Sequence, residues 1–443
     1  MVALSLLVLI PTLSFAGGQG QKDPNKKDLQ VLNYSDNTAP NAMEDQKWLW
    51  DTFKKNNPDV TLKVEDLFNE PFHSKTEAYA ASGNLPDVLY VWPSGRSTTL
   101  HEKGLLKNLT PLINRDNLRA SYIPAAFDVS QMAANSQTLL PIGITTTHVM
   151  FVNLEVLRDC NLQPARTYAE LKAQVPVLRA KGYETIIMPN QDTWVMQSCL
   201  FSAIAGRFCG AGWENNILAG TAKFTDPDFV KALDFIRLLY ADGVIAQSSL
   251  GLGYGEGPGM FATNKGAYYI DGDWRAGAFI TDSETGQALI SPARQANILV
   301  TVFPDIADAK LNKSSSTILG VGWAMDAKIP AGSPREDASW RLIKWLVGKE
   351  NQELQLRRGG IATPVRSDIN FASLNLEPIS QKVGAIANEF TTGTVVIDGV
   401  FHSDVFNPLN DGLQEIGLGQ KTPQQVAADT QKAFDTARAA GKF

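Results

Sequence analysis

Two carboxylates and a tryptophan follow one apolar segment at residues 261–277, FATNKGAYYIDGDWRAG. The segment becomes apolar towards Ile270 and then breaks into Asp271, Gly272 and Asp273 just before Trp274. A pair of carboxylates at a fixed separation is what glycoside hydrolysis requires. Both acids would, however, point the same way from one small loop, and Asp-Gly sequences more often form simple turns. The segment therefore gives a hydrolase little support.

The other familiar catalytic motifs are missing from the chain. No serine lies in the G-x-S-x-G pattern of a nucleophile elbow. The glycine-rich stretch at 251–259, GLGYGEGPG, is neither a dinucleotide fingerprint nor a phosphate-binding loop that ends in Gly-Lys-Ser/Thr. We interpret this stretch as a mobile loop, and the sequence assembles no nucleophile with a base.

Metal and cofactor chemistry also find little support. The chain has three cysteines without a Cys-x-x-Cys motif, and four histidines without an HExxH motif. We therefore expect no metal and no cofactor. Cys199 and Cys209 could form a disulfide in an oxidising compartment, or Cys160, Cys199 and Cys209 could all be buried free thiols. The sequence leaves both alternatives open.

Several tryptophans stand at strand ends, where their rings could serve binding rather than packing. An indole offers a large flat face at low rotamer entropy, which suits stacking on the C–H face of a sugar, while its N–H stays available. Polar neighbours would bond the hydroxyl groups. The aromatic candidates are Trp92, Trp194, Trp274 and Trp323, and the polar candidates are Asp36, Asn37, Arg96, Asp271 and Asp273. By contrast, Trp48, Trp340 and Trp345 are assigned to helix packing.

The elements that would position these residues alternate between strand and helix. Residues 29–35 predict a strand, 41–59 a helix that ends at Pro58, and 86–92 a buried third strand. This alternation indicates an α/β fold with a mostly parallel sheet. Ligands of such sheets lie beyond the carboxyl ends of the strands, which is where Trp92 and the loop 35–40 fall.

A second α/β unit begins near residues 140–159 and contains an amphipathic helix at 226–245 and strands at 296–306 and 316–326. The remainder of the chain is predicted to be helical. The extended stretches at 145–150 and 299–304 either pass between two lobes as hinges or are strands within one domain. The length of 443 residues suits two domains better than one core.

The N-terminus and the net charge bear on location and partners. A largely apolar run of nine residues follows Met1, and small residues precede a cleavage position after Ala16, as in a signal peptide. No Lys or Arg precedes the run, so the true start codon could lie upstream. Residues 17–28 are interpreted as a flexible leader. The net charge of −6 argues against nucleic acid as a partner.

The order of motifs resembles the extracellular solute-binding proteins of ABC transporters, family 1, which take up sugars and oligosaccharides. The matching segments run along nearly the whole mature chain: SGNLPDVLYVW, HEKGLLKNLTPLI, LLPIGITTTHVMFVNLEVLRD, MFATNKGAYYIDGDW and WRLIKWLVGKENQELQLRRGGIATPVRSD. Asn264-Lys265-Gly266 stands where the family has Gly-Lys-Ala. Many relatives carry a lipid-anchored cysteine after the signal, whereas SFAGGQG here has none.

The resemblance implies a two-lobed periplasmic binding protein fold of type II, in which each lobe is a sheet flanked by helices and hinge crossovers join the lobes. It assigns 29–147 and 303–325 to the N-terminal lobe, 148–302 and 326–443 to the C-terminal lobe, and hinges near 145–150, 299–304 and 320–327. The implied ligand residues are Trp274 as the stacking aromatic, Trp92, Arg96, Asp36, Asn37 and Trp323. Asp273, from the polar candidates above, and Trp194 and Phe401 are added as further candidates.

The expected function is capture of a sugar between the lobes, without chemistry, and delivery to an ABC importer permease. We expect a monomeric, free periplasmic protein. The alternatives are a secreted carbohydrate hydrolase and a binding protein for a polyol, a phosphodiester or a peptide. A phosphate or peptide site would need more convergent arginines or helix N-termini.

Overall fold

The computed structural model describes residues 22–127, 136–389 and 393–443. The expected signal peptide at 1–16 and the first part of the expected leader lie outside the described residues. Within the described ranges the strands are β1 (Asp28–Tyr34), β2 (Thr61–Leu67), β3 (Val88–Val91), β4 (Leu139–Pro141), β5 (Gly143–Thr146), β6 (Val149–Asn153), β7 (Glu184–Ile187), β8 (Gly266–Asp271), β9 (Ile298–Thr301), β10 (Ser315–Leu319), β11 (Gly322–Met325), β12 (Thr363–Pro364) and β13 (Gly393–Thr394).

The helices lie between and after these strands. They are α1 (Ala42–Asn56), α2 (Glu70–Ser82), α3 (Thr98–Glu102), α4 (Thr110–Arg115), α5 (Leu154–Asp159), α6 (Tyr168–Ala180), α7 (Trp194–Met196), α8 (Ser202–Cys209), α9 (Trp213–Ala219), α10 (Pro227–Ala241), α11 (Gly257–Ala262), α12 (Pro292–Gln295), α13 (Pro334–Leu346), α14 (Lys349–Arg357), α15 (Pro378–Glu389), α16 (Ile397–Val400), α17 (Ser403–Gly417) and α18 (Pro423–Ala439). A π-helical turn at Gln197–Phe201 joins α7 to α8. No helix within the described ranges is both long enough and apolar enough to cross a lipid bilayer.

Three sheets organise the chain. The N-terminal lobe has a five-stranded sheet in the order β2-β1-β3-β11-β4, and the C-terminal lobe has a four-stranded sheet in the order β7-β8-β6-β9. A third sheet, in the order β12-β5-β10-β13, lies on the segments that connect the lobes. The first three strands are parallel, as the sequence pattern indicates, but β11 joins β3 in the antiparallel sense. Both lobe sheets are therefore mixed.

The two helices predicted most clearly from the sequence are present as α10 and α1, but the buried face of α1 differs from the predicted one. In α10 the apolar residues Phe229, Leu233, Ile236 and Leu239 are all buried, as their helical spacing predicts. In α1 the helical spacing predicts an apolar face of Met43, Trp48, Leu49 and Phe53, but Met43 is 75% exposed and does not face the core. Trp50 is buried instead, beside Leu49 and Phe53.

The division of the C-terminal half between the lobes differs from the expected one. Trp340, Ile343 and Leu356, from α13 and α14, pack in the core of the N-terminal lobe, although 326–443 was assigned to the other lobe. Conversely, Phe303 packs in the C-terminal lobe. The sequence could not decide this, because an apolar helix face indicates burial but does not specify which sheet covers it.

The chain passes between the lobes through the third sheet. The first passage runs along β5 and ends before β6, and the second returns along β10 before β11. A third passage follows β12, because Leu374 still packs in the N-terminal core whereas Ile379 of α15 packs in the C-terminal lobe. The segment 320–327, expected as a hinge, instead contains β11 inside the N-terminal sheet. Likewise 299–304 overlaps β9 of the C-terminal sheet.

The described part of the expected leader is held against the N-terminal lobe, which corrects the expectation of a flexible segment. The ammonium of Lys22 lies 3.1 Å from a carboxylate oxygen of Asp87 and 2.8 Å from one of Asp326. The backbone N–H of Arg335 donates to the carbonyl oxygen of Pro24. Gly/Gln/Lys composition indicated flexibility, but these long-range bonds fix the chain from residue 22 onwards.

Candidate functional site

An aromatic cluster, which we call the N-terminal aromatic cluster, covers the end of the N-terminal sheet. It contains Tyr34, Phe68, Phe72, His73, Tyr90 and Trp92. Trp92 follows β3 directly, and its ring centroid lies 5.0 Å from those of both Tyr34 and His73. Trp92 is only half-buried, so part of its ring stays accessible. The cluster therefore presents an indole at the carboxyl end of a strand, as the sequence predicts.

A second group, the C-terminal aromatic cluster, consists of Trp194, Tyr254 and Trp274. The rings of Trp194 and Tyr254 are 4.9 Å apart, and those of Trp194 and Trp274 are 6.3 Å apart. Trp194 begins α7 and Trp274 follows β8, so distant segments build this surface together. Both tryptophans are half-buried. Phe68, from the N-terminal aromatic cluster, packs against the same core as Trp194 and Trp274. Phe68 therefore lies where the two lobes meet, with one aromatic cluster on each lobe.

A chain of hydrogen bonds fixes the Trp274 ring. Its indole N–H donates to the Tyr254 hydroxyl at 2.6 Å, and that hydroxyl donates to Asp271 at 3.2 Å. Arg275 donates to the other Asp271 oxygen at 2.6 Å and lies 4.3 Å from the Tyr254 ring centroid. The sequence-based expectation that the indole N–H stays available is therefore wrong. Trp274 offers its face, in an orientation held by buried partners.

Tyr254 is a residue of the candidate site that the sequence analysis missed. It lies in the glycine-rich stretch interpreted as a mobile loop, yet it is only 8% exposed. Its backbone N–H donates to Asp192 at 3.0 Å, and α11 begins within the stretch at Gly257. The glycines suggested mobility because composition carries no information about distant partners. A lone tyrosine among glycines was the available signal.

The structure explains why a glycine, Gly272, precedes Asp273 and Trp274. Its backbone is extended, so no unusual conformation requires glycine. A Cβ atom at this position would instead collide with the six-membered ring of Trp274. The indole therefore lies directly over the Gly272 backbone, and glycine is required for space.

We predict that Gly272→Ala weakens ligand binding by about tenfold, because the added methyl group must displace the Trp274 ring and overpacking of this kind costs about 1–3 kcal/mol. Isothermal titration calorimetry measures the change. Gly251→Ala is the matched control, since a Cβ atom there meets no atom within 4 Å. Equal affinities of the two variants would contradict this role of Gly272.

Arg96 connects the two lobes. Its Nε and Nη2 atoms each lie 2.7 Å from a carboxylate oxygen of Asp398, the second residue of α16. Asn69 adds a second contact between the lobes, donating to Asp192 at 2.9 Å. Asn41 adds a third, because its side chain donates to the carbonyl oxygen of Thr281 at 3.1 Å. The lobes thus touch on several sides of the aromatic clusters.

Asp36 and Asn37 occupy the loop after β1, next to the N-terminal aromatic cluster. Asp36 accepts hydrogen bonds from the backbone and hydroxyl of Thr38, and Asn37 accepts one from Ser35. Asn37 is exposed and Asp36 half-buried. Burial lowers the pKa of nearby His73 to about 3, and the positive charge of Arg96 acts in the same direction. His73 is therefore a neutral ring in this cluster.

Three candidates are not at the accessible surface of the site, which corrects the expectation for them. Trp323 is 3% exposed and supports the N-terminal aromatic cluster from beneath, 5.4 Å from the Tyr90 ring. Phe401 has no exposed surface and packs among core phenylalanines. Asp273 is 3% exposed and accepts the backbone N–H of Thr146 at 2.8 Å. An aromatic or acidic residue near a strand end has the same sequence pattern whether its side chain is buried or accessible. Only the structure distinguishes the two cases.

Asp273 joins the C-terminal lobe to β5. Burial raises the pKa of its carboxyl to about 7, although backbone N–H groups of Thr146 and Trp274 act in the opposite direction. The folded protein therefore binds more protons than the unfolded chain between about pH 4 and pH 7. Its contribution to stability must decline as the pH rises through this interval.

We predict that Asp273→Asn flattens this decline, because the amide does not ionise. The substitution should change the slope of the free energy of unfolding against pH by at most about 1.4 kcal/mol per pH unit. Chemical unfolding measured from pH 4 to pH 8 tests it, with the exposed Asp411→Asn as the control. A wild-type stability that rises over the same interval, with no change of slope in the variant, would contradict the prediction.

Within residues 22–127, 136–389 and 393–443, no group of three or more His, Cys, Asp or Glu side chains is arranged to hold a metal ion. Cys160, Cys199 and Cys209 are free thiols, so Cys199 and Cys209 form no disulfide, but Cys209 is half-buried and not buried as the other alternative expected. Asp271 and Asp273 are both engaged in internal bonds.

The comparisons with known proteins agree on one family and one fold. The profile of the family described as bacterial extracellular solute-binding protein matches residues 48–373. A search of curated protein sequences found no match. Among solved structures, a chitin oligosaccharide binding protein is 20% identical, with a TM-score of 0.81 and coverage of 94% of this chain and 99% of that chain.

Two further structures are similar over the same extent. A protein from a study of xylan utilization by the thermophilic bacterium Caldanaerobius polysaccharolyticus is 21% identical, with a TM-score of 0.80, covering 91% of this chain and 99% of that chain. The maltose/maltodextrin-binding domain from Bdellovibrio bacteriovorus, bound to maltotriose, is 16% identical, with a TM-score of 0.71, covering 93% and 100%. The predicted two-lobed α/β fold is confirmed.

Proposed function

Because this chain belongs to the bacterial extracellular solute-binding proteins, we propose that it captures a saccharide between its two lobes and delivers it to the permease of an ABC importer. The ligand leaves chemically unchanged. The protein acts as a monomer in the periplasm, after residues 1–16 direct its export and are removed. The structural relatives described as binding chitin oligosaccharide and maltotriose support the saccharide class.

The observation that carries this proposal is the pair of aromatic clusters, one on each lobe. Flat rings bury the apolar C–H faces of a pyranose, while polar groups at their edges bond its hydroxyls. Trp274 and Trp194 would contact the sugar from the C-terminal lobe, and Trp92 from the N-terminal lobe. Lobe closure would bring the two surfaces together around the ligand.

The polar roles fall mainly to the N-terminal lobe. Arg96 is half-buried and keeps N–H groups beside Trp92, and Asp36 and Asn37 offer hydrogen-bonding groups from the adjacent loop. We assign these three residues to the sugar hydroxyls. Asp273, Trp323 and Phe401 hold the frame of the site from within.

A thermal-shift screen over neutral mono- and oligosaccharides tests the proposal. A ligand present at about 100 times its dissociation constant adds about 2.7 kcal/mol to the free energy of unfolding, which gives a clear rise in melting temperature. Polyols, phosphodiesters and short peptides serve as the comparison set. Chromatography of the incubated saccharides checks that they are recovered intact.

The outcomes separate the alternatives. Stabilisation by a saccharide that is recovered uncut supports the proposal. Cleavage products would identify a hydrolase, and stabilisation by a member of the comparison set alone would identify a receptor for another solute. Trp274→Ala is the matched variant, since a binder at the aromatic clusters must lose its shift when this ring is removed.

A further inference from the structure

The ion pair between Arg96 and Asp398 lies across the two lobes, next to the aromatic surfaces. The Arg96 side chain is 18% exposed and that of Asp398 is 8% exposed. Both Nε and Nη2 of Arg96 contact the same carboxylate oxygen, Oδ2, at 2.7 Å. An ion pair this sheltered from water is screened far less than a surface pair. The charge of Arg96 is therefore largely neutralised where a ligand would meet it.

Close packing fixes Asp398 in this position. The Ser198 hydroxyl donates to the same Oδ2 atom at 3.1 Å. A Cβ atom at Gly95, beside Arg96, would collide with the carbonyl oxygens of Asp398 and Phe401. The guanidinium carbon of Arg96 also lies 5.7 Å from the Phe406 ring centroid. The loop after β3 thus rests directly on α16, and the carboxylate has a defined orientation towards Arg96.

Among the neighbouring carboxylates, Asp271 is matched by a cation and Asp192 is held by neutral donors. Asp271 bonds to Arg275, and Asp192 accepts from the side chain of Asn69 and the backbone of Tyr254. His73 stays neutral because its pKa is lowered to about 3. A carboxylate on a ligand that entered between the aromatic clusters would lose its hydration without gaining a cation of its own, which is costly.

We propose that Asp398 determines the charge specificity of the site: by neutralising Arg96 across the lobes, it makes the protein select uncharged saccharides and reject uronic acids. The inference rests on the proposed function. Asp398 contributes no bond to the sugar in this role, because it acts through Arg96. Removing its charge leaves the Arg96 guanidinium free to bind a carboxylate on the ligand.

The test compares matched sugars on the Asp398→Asn variant. The neutral probes are cellobiose, xylobiose and N,N'-diacetylchitobiose, and the acidic probe is cellobiouronic acid. The amide keeps a hydrogen-bond acceptor for Arg96 and Ser198 but carries no charge. We expect the wild-type protein to bind its best neutral probe at least about tenfold more tightly than the acid. In Asp398→Asn the ratio of acid to neutral affinity should rise at least about tenfold.

The reciprocal variant keeps the inference testable should Asp398→Asn fail to fold. Arg96→Gln leaves Asp398 without its cation, so the site should gain affinity for the cationic, deacetylated chitobiose relative to N,N'-diacetylchitobiose, again by about tenfold. Glu102→Gln is the control. It neutralises a carboxylate on α3 that is 36% exposed and lies 3.6 Å from His402, and it leaves Arg96 paired.

Each outcome bears on the inference. Opposite shifts in the two variants, with no shift in Glu102→Gln, support it. A wild-type protein that binds the acidic and neutral sugars equally would overturn it, as would a folded Asp398→Asn variant with the wild-type ratio or an equal shift in Glu102→Gln. Absence of any saccharide binding by the wild-type protein would instead refute the proposed function, and the inference with it.

Discussion

Trp274→Ala is expected to weaken saccharide binding by about 30-fold or more, the equivalent of at least about 2 kcal/mol. The variant loses the indole face, and it also leaves the Tyr254 hydroxyl without the donor that now lies 2.6 Å away. Neither loss can be recovered by a neighbouring ring, because Trp194 is held against Tyr254. Calorimetric titration with the best saccharide from the screen measures the effect.

Two further tryptophan variants sharpen this test. Trp274→Phe keeps an aromatic face without the N–H, and should retain more affinity than the alanine variant. Trp48→Ala is the control for loss of an indole elsewhere, since Trp48 packs 5.3 Å from Trp345 in the N-terminal lobe. If Trp274→Ala binds as tightly as Trp48→Ala, the stacking role of Trp274 is wrong.

Asp87→Ala is expected to lower the free energy of unfolding by about 3–5 kcal/mol, the cost of removing one partner from a buried ion pair. Asp87 has no exposed surface and accepts two hydrogen bonds from Arg335, at 2.7 and 2.8 Å. It also accepts the backbone N–H of Gln30 at 2.8 Å. The substitution leaves the Arg335 guanidinium, itself 6% exposed, with the exposed carboxylate of Asp28 at 3.5 Å in place of its buried partner. Chemical denaturation measures the loss.

The pH dependence gives a second readout for Asp87. Burial by itself would raise the pKa of Asp87, but Arg335 and Lys22 outweigh it and lower that pKa. The stabilisation is therefore present above the ordinary carboxyl pKa of about 4 and is lost as the pH falls through the lower folded value. The wild-type protein should lose this stability on acidification, and the variant should not.

Asp51→Ala is the matched control. Asp51 forms ion pairs with Lys47 and Lys54 on the surface of α1, where the side chain is 52% exposed. Solvent-exposed pairs contribute only about 0–1 kcal/mol. A loss in Asp87→Ala no larger than that in Asp51→Ala would show that the buried network around Arg335 is not needed for the fold.

The sequence predicted the elements that depend on local pattern. The face of α10 follows from helical spacing, and Trp92 at the end of β3 follows from the order of strands and loops. Met43 did not follow the pattern, because Trp50 and not Met43 is buried on the apolar face of α1. Helical periodicity predicts which face of a helix is apolar, and packing decides which residues near that face are buried.

The candidate site was predictable only in part. Trp92, Trp194 and Trp274 are half-buried, as an accessible ring requires, whereas Trp323 and Phe401 pack in the cores. Asp398 carried no sequence signal, and Tyr254 only that of a lone tyrosine among glycines, because each acts through a partner at a sequence distance of 302 residues and 20 residues, respectively. Contacts between such distant residues produce no periodic pattern in the sequence.

By itself the sequence determined the class of fold, the strands and helices with strong periodicity, and the positions of indoles near strand ends, because these depend on spacing between near neighbours. Only the tertiary structure decided which lobe covers α13 and α14, which tryptophans keep an accessible face, and which carboxylates are already paired. The physical reason is that burial and charge neutralisation are set by groups that folding brings together from distant parts of the chain.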